Sequence, residues 1–348
     1  MQDFLSKGYE VIALGQEPES EWSEKFAENG IEYRQIYVER NGVNPAHDLR
    51  TLKELDSFLK KEKPDKIFCY QAKTIIYTCL AAKKNGISEV YPLVAGLGSI
   101  FDGTSVKGKL LKAVMCTEYK VALTNSKAVM FQNNDDLSAF VNEGIVKRDK
   151  CRIINGSGVD VEKFTVMPMP EKPAFLMITR LIRDKGVGEY LDACRMIKKN
   201  NPDVRCLLVG PYDTNPSAIT PAEFQNYIDD GSVEYFGEQE DVRPFIEQAS
   251  VFVLPSYHEG TPKTVLESMA CGRAIITTDA PGCRETAKDG VNGYLVPVKD
   301  AGAVADKMQK FIDKPELAIE MGSKGRKLVE EKYDVNKVNE SIMEIMNI

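Results

Sequence analysis

The sequence predicts an α/β protein built from two doubly wound, Rossmann-like domains, and three observations predict it. Short apolar runs alternate with helical patterns along the whole chain, the rhythm of βα units around parallel sheets. The chain has 348 residues, beyond the roughly 250–300 at which a single hydrophobic core stops growing. Near its middle, prolines 168, 170 and 173 interrupt the rhythm with the composition of a linker. The expected boundaries are a first domain at 1–160, a linker at 161–173, a second domain at 174–331 and a closing segment at 332–348. That segment, "DVNKVNESIMEIM", is an amphipathic helix that needs a surface, and crossing back onto the first domain supplies one.

In the first half, "YEVIALG" (9–15), "DKIFCYQ" (65–71), "VYPLVAG" (90–96) and "YKVALTN" (119–125) read as buried strands. In the second, "AFLMITR" (174–180), "RCLLVGP" (205–211), "VEYFG" (233–237), "VFVLPS" (251–256), "AIITT" (274–278) and "GYLVP" (293–297) do the same. The opening "MQDFLSKGYEVIALG" is unusual, because it reads as the end of a helix followed by a strand. A doubly wound domain normally opens on a strand. The expectation is therefore a natural start upstream, with the first domain lacking its first βα unit. Loss of that mid-sheet unit would leave two strand edges open.

Composition excludes several classes of protein. At 43% hydrophobic and 28% charged the chain is an ordinary globular one, which rules out disorder. Residues 1–164 hold 23 basic and 23 acidic side chains, and the remainder 22 and 29. The acidic surplus lies in the second half, so bulk nucleic-acid binding is not expected. The eight cysteines form no C-x-x-C pair and there are two histidines, so neither a zinc site nor a disulfide framework is suggested. Reduced core thiols fit a cytoplasmic protein. No run reaches the ~18 apolar residues of a membrane span, and no secretory signal pattern precedes the fold. The expected place of work is the cytoplasm, at the membrane face if anywhere special.

The candidate chemistry lies in "HEGTPKTVLESMACG" (258–272), where Glu259 and Glu267 sit eight residues apart. Thr261 suits an N-cap, Pro262 the first helical position and Gly272 the C′ position, which predicts a helix over 262–271. Val265, Leu266, Met269 and Ala270 form its buried stripe. Its first amides, beside Gly260, make an anion site at a strand end, with Glu259 before them and Glu267 more than a turn further on. A ligand with an anionic centre and hydroxyl groups at both ends would match. A plainer reading stays equally open here: Lys263 and Glu267 are an i,i+4 pair, and Glu259 simply favours a helix N-terminus. "ITRLIRDKGV" (178–187) adds Arg180 and Lys185 at another strand end of the same domain. Two cations facing helix amides can hold a diphosphate without a metal, although a solvated basic loop would look the same.

From about residue 90 to the end the chain resembles the retaining family 4 glycosyltransferases of the GT-B fold. The residues that carry the likeness are "TRLIRDKG", "LLVGP", "YFGEQEDV", "LPSYHEGTPKTVLESMACGRAIITTDAPGCRETAKDGVNGYLV" and "IINGSGVDVEKF". A weaker likeness runs through 8–157, including "GLGSIF" and "VMFQNNDD". Bacterial capsule and O-antigen enzymes, many using UDP-sugars and lipid-linked acceptors, look most similar. The resemblance implies an acceptor-side first domain and a nucleotide-sugar-binding second domain, with no metal or cofactor beyond the donor substrate. It implies that Arg180 and Lys185 bind the diphosphate, that Glu259 contacts hydroxyls of the transferred sugar, and that the amides of Gly260 and Thr261 face sugar and diphosphate. Glu267 would hold the ribose, with Gly210 and Phe236 near ribose and base and His258 beside the sugar pocket. Many relatives place a histidine in the first domain. Here the candidate is His47, whose setting "NPAHDLRTL" reads as a surface helix entry.

Two features remain on the acceptor side. Gly96 and Gly98 follow a first-domain strand and would let backbone approach a ligand, or merely make a tight turn. "TSVKGKLLKAVMCTEYK" sets lysines 107, 109, 112 and 120 around Leu110, Leu111, Val114 and Met115, a pattern suited to peripheral contact with anionic lipid or to a solvated helix face. The leading expectation is transfer of a hexose or N-acetylhexosamine from a UDP-sugar to a lipid-linked or glycan acceptor. A nucleotide-sugar-binding protein without turnover and a same-fold epimerase are the rivals, the second disfavoured by the shortage of histidines.

Overall fold

The computed structural model describes residues 1–39, 44–97, 106–215 and 217–348. They divide into two compact units, one of residues 1–154 with 339–348 and the other of residues 155–338.

The first unit holds β1 (Ile12–Gly15), β2 (Glu32–Gln35), β3 (Ile67–Tyr70), β4 (Val90–Val94), β5 (Val129–Phe131) and β6 (Cys151–Ile153). All pair in parallel, but in two sheets: β1 with β2, and β3-β4-β5-β6. Among the described residues β1 pairs only with β2, and β3 only with β4. Strand β4 is buried along its length, whereas all four residues of β1 are half-buried despite their apolar character. The closing residues pack here. Met346 is buried with Tyr91, Leu93, Met130 and Ile154, the Met346 carbonyl accepts from Lys66 Nζ at 2.6 Å, and Asn339 Nδ2 donates to Asp3 at 2.6 Å.

One expected strand is a helix. "YKVALTN" closes the helix Val106–Ala122 and the 3₁₀ turn Leu123–Asn125. Tyr119, Ala122 and Leu123 are buried while Lys120 and Val121 between them face water, which is helical rather than alternating periodicity.

The second unit is one parallel sheet of β7 (Ala174–Ile178), β8 (Arg205–Val209), β9 (Glu234–Tyr235), β10 (Val251–Leu254), β11 (Ala274–Thr278) and β12 (Gly293–Val296). Its order is β12-β11-β10-β7-β8-β9. The chain winds outward from β7 through β8 to β9, then returns beside β7 as β10 and winds the other way. That reversal makes a topological switch point between β7 and β10, where open α/β sheets place their ligands. Every residue of β7, β10 and β11 is buried, as strands covered on both faces must be.

The proline-rich segment is not loose. The Val159 amide donates to Tyr333 O (2.9 Å) and Met167 N to Cys271 O (3.2 Å). Arg326 Nη1 donates to the carbonyls of Phe164 (2.6 Å) and Ala270 (2.7 Å). Arg273, fully buried, reaches further carbonyls of the same segment.

Candidate functional site

The loops after β7 and β10 meet at the switch point. Gly186 ends the 3₁₀ turn Arg183–Lys185 with φ 72° and opens the helix Val187–Lys198. A Cβ on Gly186 would overlap the Pro255 carbonyl, so only glycine allows the two loops to touch. The Tyr257 amide donates to Asp184 O at 2.9 Å, and Ser256 Oγ to the same carbonyl at 3.2 Å. These ties bring Lys185 Nζ to 2.6 Å from Glu259 Oε1, with side chains 21% and 13% exposed. Residues 74 apart in sequence therefore form one ion pair.

Glu259 is braced from behind by the turn after β11. Its amide donates to Pro281 O at 3.0 Å, and a Cβ on Gly282 would overlap the carbonyls of Glu259 and Gly260. The His258 carbonyl accepts from Ser256 Oγ at 3.3 Å. Beneath this turn, burial first and the Glu259 carboxylate second push the Cys283 thiol up to about 12, which leaves it neutral and unreactive.

The helix after Glu259 is Lys263–Ala270, with Pro262 as N-cap and no side-chain capping bond. This corrects the expectation that Thr261 caps a helix beginning at Pro262. Thr261 Oγ1 is buried with no hydrogen-bond partner, and Gly156 lies so close that a Cβ there would be 2.8 Å from the Thr261 methyl carbon. No side chain caps this helix; the Val265 and Leu266 amides donate to the Pro262 carbonyl at 3.1 and 3.3 Å, which leaves the Lys263 and Thr264 amides for another acceptor. Val265, Leu266, Met269 and Ala270 are buried as expected, and Gly272 takes a positive φ of 79°.

Glu267 is 7% exposed. Lys263 Nζ is 3.5 Å from its carboxylate, but the lysine side chain is 67% exposed, so that pair is weak. Burial raises the Glu267 carboxyl above the ordinary carboxylate range, against smaller opposing pulls from Lys263 and Lys163.

Arg180 lies after β7 with its side chain 49% exposed, and Nη1 is 2.6 Å from Asp213 Oδ2. Gly210 follows β8, its carbonyl accepting from Tyr235 Oη at 2.8 Å and its amide donating to Gly237 O at 2.8 Å. The Phe236 ring, by contrast, packs against Phe245 at 5.0 Å and against the core. The backbone of Gly210 and Gly237 thus reaches the strand edge, while the Phe236 side chain turns inward.

In the first unit Gly96 has φ 134° and lines a cavity of about 170 Å³ with Gln71, Ala72, Ile75, Val94 and Tyr119. Gly98 lies outside the described residues. His47, in the first turn of the helix Pro45–Glu62, is 43% exposed and pairs with Glu39 at 2.8 Å. Among the described residues no three His, Cys, Asp or Glu side chains converge as a metal site would require.

Asp213 escapes sequence reasoning, whereas the Pro281–Cys283 turn lies within a stretch that carries the family likeness, and only its bracing of Glu259 was not read from it. The Pro-Gly step after a buried strand signals the turn. Nothing local marks Asp213, whose partner lies 33 residues earlier.

Two parallel-sheet units, one with charged side chains at its switch point, define an α/β protein of the GT-B class. The description "Glycosyl transferases group 1" matches residues 162–328, and "Glycosyl transferase 4-like" matches residues 1–133. The chain belongs to these GT-B glycosyltransferases and is an enzyme of that class. It is 28% identical over 318 residues, covering 87% of this chain and 82% of the relative, to the N,N'-diacetylbacillosaminyl-diphospho-undecaprenol α-1,3-N-acetylgalactosaminyltransferase of Campylobacter jejuni. It is 27% identical over 290 residues, covering 78% and 72%, to the UDP-Gal:α-D-GlcNAc-diphosphoundecaprenol α-1,3-galactosyltransferase of Escherichia coli. Among solved structures, Anabaena HepE in complex with UDP and glucose superposes with a TM-score of 0.74 at 16% identity, covering 97% of this chain and 91% of HepE. That likeness speaks to the fold.

Proposed function

We propose that this glycosyltransferase moves a hexose or N-acetylhexosamine from a UDP-sugar, with retention, to a lipid-linked or glycan acceptor in surface polysaccharide synthesis. The observation that carries the reading is the Lys185–Glu259 pair at the β7/β10 switch point, with Arg180 and an uncapped helix N-terminus on the same sheet edge. Two relatives act, by their names, on diphospho-undecaprenol-linked sugars, and one takes UDP-Gal.

On this reading Arg180, Lys185 and the amides of Gly260 and Thr261 bind the diphosphate, which gains negative charge as the bond to the anomeric carbon breaks. Fixed donors of this kind lower the barrier because they are already aimed where charge develops. The acceptor oxygen forms the new bond on the same face, and its proton passes to the departing phosphate oxygen, so no protein base is needed. Glu259 holds both Lys185 and hydroxyls of the transferred sugar, with His258 beside it. Glu267 takes the ribose hydroxyls, and Gly210 with the backbone around Phe236 borders the nucleoside. Gly96 belongs to the acceptor side. The helix Val106–Ala122 rests on anionic lipid through Leu110, Val114 and Val121, which are 66%, 47% and 49% exposed on one stripe, flanked by Lys109 and Lys120. Among the described residues no helix is long and apolar enough to cross a membrane.

The test is calorimetric titration with UDP, GDP and their common sugar conjugates, followed by NMR of the anomeric signal in the product. Binding of UDP-sugars and a retained configuration are expected. Preference for a guanine nucleotide, or an inverted product, would sink the reading.

Glu267→Gln should weaken UDP binding about tenfold, as loss of a charge-assisted bond predicts, while raising the melting temperature near neutral pH. The carboxyl is raised in the folded state by burial, so folding favours its protonated form. That gain is present in acid and lost as pH rises through the raised value, leaving a buried carboxylate as a net cost at neutrality. Glutamine removes the cost. Wild-type UDP affinity should also fall as pH drops through that value, and the glutamine variant's should not; matching pH profiles in calorimetry would contradict the assignment.

A further inference from the structure

The loop after β8 carries a carboxylate to which the donor reading gives no role. Asp213 is held at both oxygens, Oδ1 accepting from the Asn215 amide at 2.7 Å and Oδ2 lying 2.6 Å from Arg180 Nη1. Its side chain is 12% exposed, against 49% for that of Arg180. The surrounding segment is laced onto the arginine's own loop. Leu181 N donates to Pro211 O (3.0 Å), Arg183 N to Ser217 O (2.8 Å) and Ile219 N to Leu181 O (2.9 Å), and Ile182 faces Ala218 in an antiparallel bridge. Asp213 is thus fixed relative to the strand end from which Arg180 springs.

A half-exposed arginine has many rotamers, and ordering it on a ligand costs entropy. Its guanidinium carries five N–H groups in a rigid fork. Engaging one Nη with a fixed carboxylate selects an orientation and leaves Nε and the other Nη for a second anion. We propose that Asp213 is a positioning residue that aims the Arg180 guanidinium at the donor diphosphate. This rests on the role given to Arg180 above. Burial works to raise the Asp213 carboxyl, but the Asn215 amide and Arg180 outweigh it and hold it below the ordinary range, so it stays charged at neutral pH.

The experiment titrates UDP and UMP separately into the full chain by calorimetry and reads the ratio of the two affinities. That ratio isolates the second phosphate, and UMP binding reports whether the rest of the site is intact. Asp213→Ala should lower the UDP preference about tenfold with UMP affinity unchanged, and Asp213→Glu should recover most of it. Added to Arg180→Ala, Asp213→Ala should change nothing further, because its effect runs through that guanidinium. Multiplying effects in the double variant would overturn the proposal. So would a raised UDP preference in Asp213→Ala, which would make the carboxylate a competitor. A preference lowered by Arg180→Ala but not by Asp213→Ala removes the inference about Asp213 alone. An unchanged preference in Arg180→Ala removes the donor reading with it.

Discussion

Arg180→Ala is expected to lower turnover by about 10²- to 10³-fold, the usual effect of removing one preorganised donor from a developing anion. The loss in UDP affinity should be smaller, about tenfold, because charge on the diphosphate is greatest as the glycosidic bond breaks. Arg180→Lys should recover little, since one ammonium cannot bond Asp213 and a phosphate with a fork's geometry. Lys185→Ala should reduce turnover as severely, with a second cost that Arg180→Ala lacks. Glu259 is 13% exposed, and without Lys185 it loses its 2.6 Å partner, so the variant should also melt lower. Steady-state UDP release, with UDP titration alongside, separates the two variants. Turnover within about threefold of wild type in both would end the donor assignment, since a tenfold change is the least one such bond predicts.

The second unit was largely legible because fully buried parallel strands read as continuous apolar runs. All six appear where their runs lie, and "VFVLPS" and "AFLMITR" deliver Glu259 and Lys185 to neighbouring strand ends. The first unit was less so. Strand β2, "EYRQ", has one buried residue in four and gives no apolar signal. "YKVALTN" carries apolar residues at a spacing that suits strand or helix in so short a window. Within the site, residue types and their strand ends could be read, but pairings could not. Lys185 with Glu259 and Arg180 with Asp213 are set by strand order and by loops touching through Gly186. The same limit hid the missing Thr261 cap, which depends on where Gly156 packs.

The connecting segment shows what composition cannot convey, and Arg273→Ala is the test. Prolines at 168, 170 and 173 suggest a free linker, yet Arg273 is fully buried beneath it. Its Nε donates to Ile246 O at 3.0 Å and Nη2 to Pro168 O at 2.8 Å. Nη1 reaches Met167 O at 3.3 Å and the sulfur of Met169 at 3.2 Å. An alanine there removes the donors from several enclosed carbonyls, at about 1–3 kcal/mol for each left unpaired, and opens a cavity besides. The expected loss is about 3–5 kcal/mol in urea unfolding of the second unit. Arg273→Met, which fills the volume but donates nothing, should fall between alanine and wild type. Trypsin cleavage after the exposed Lys163 should quicken in both variants, as Phe164 to Met169 come away from the sheet. If Arg273→Ala unfolds at the wild-type midpoint and resists trypsin equally, the clamp contributes nothing and the segment is held by its other ties, among them Arg326, the Met167–Cys271 bond and the burial of Phe164.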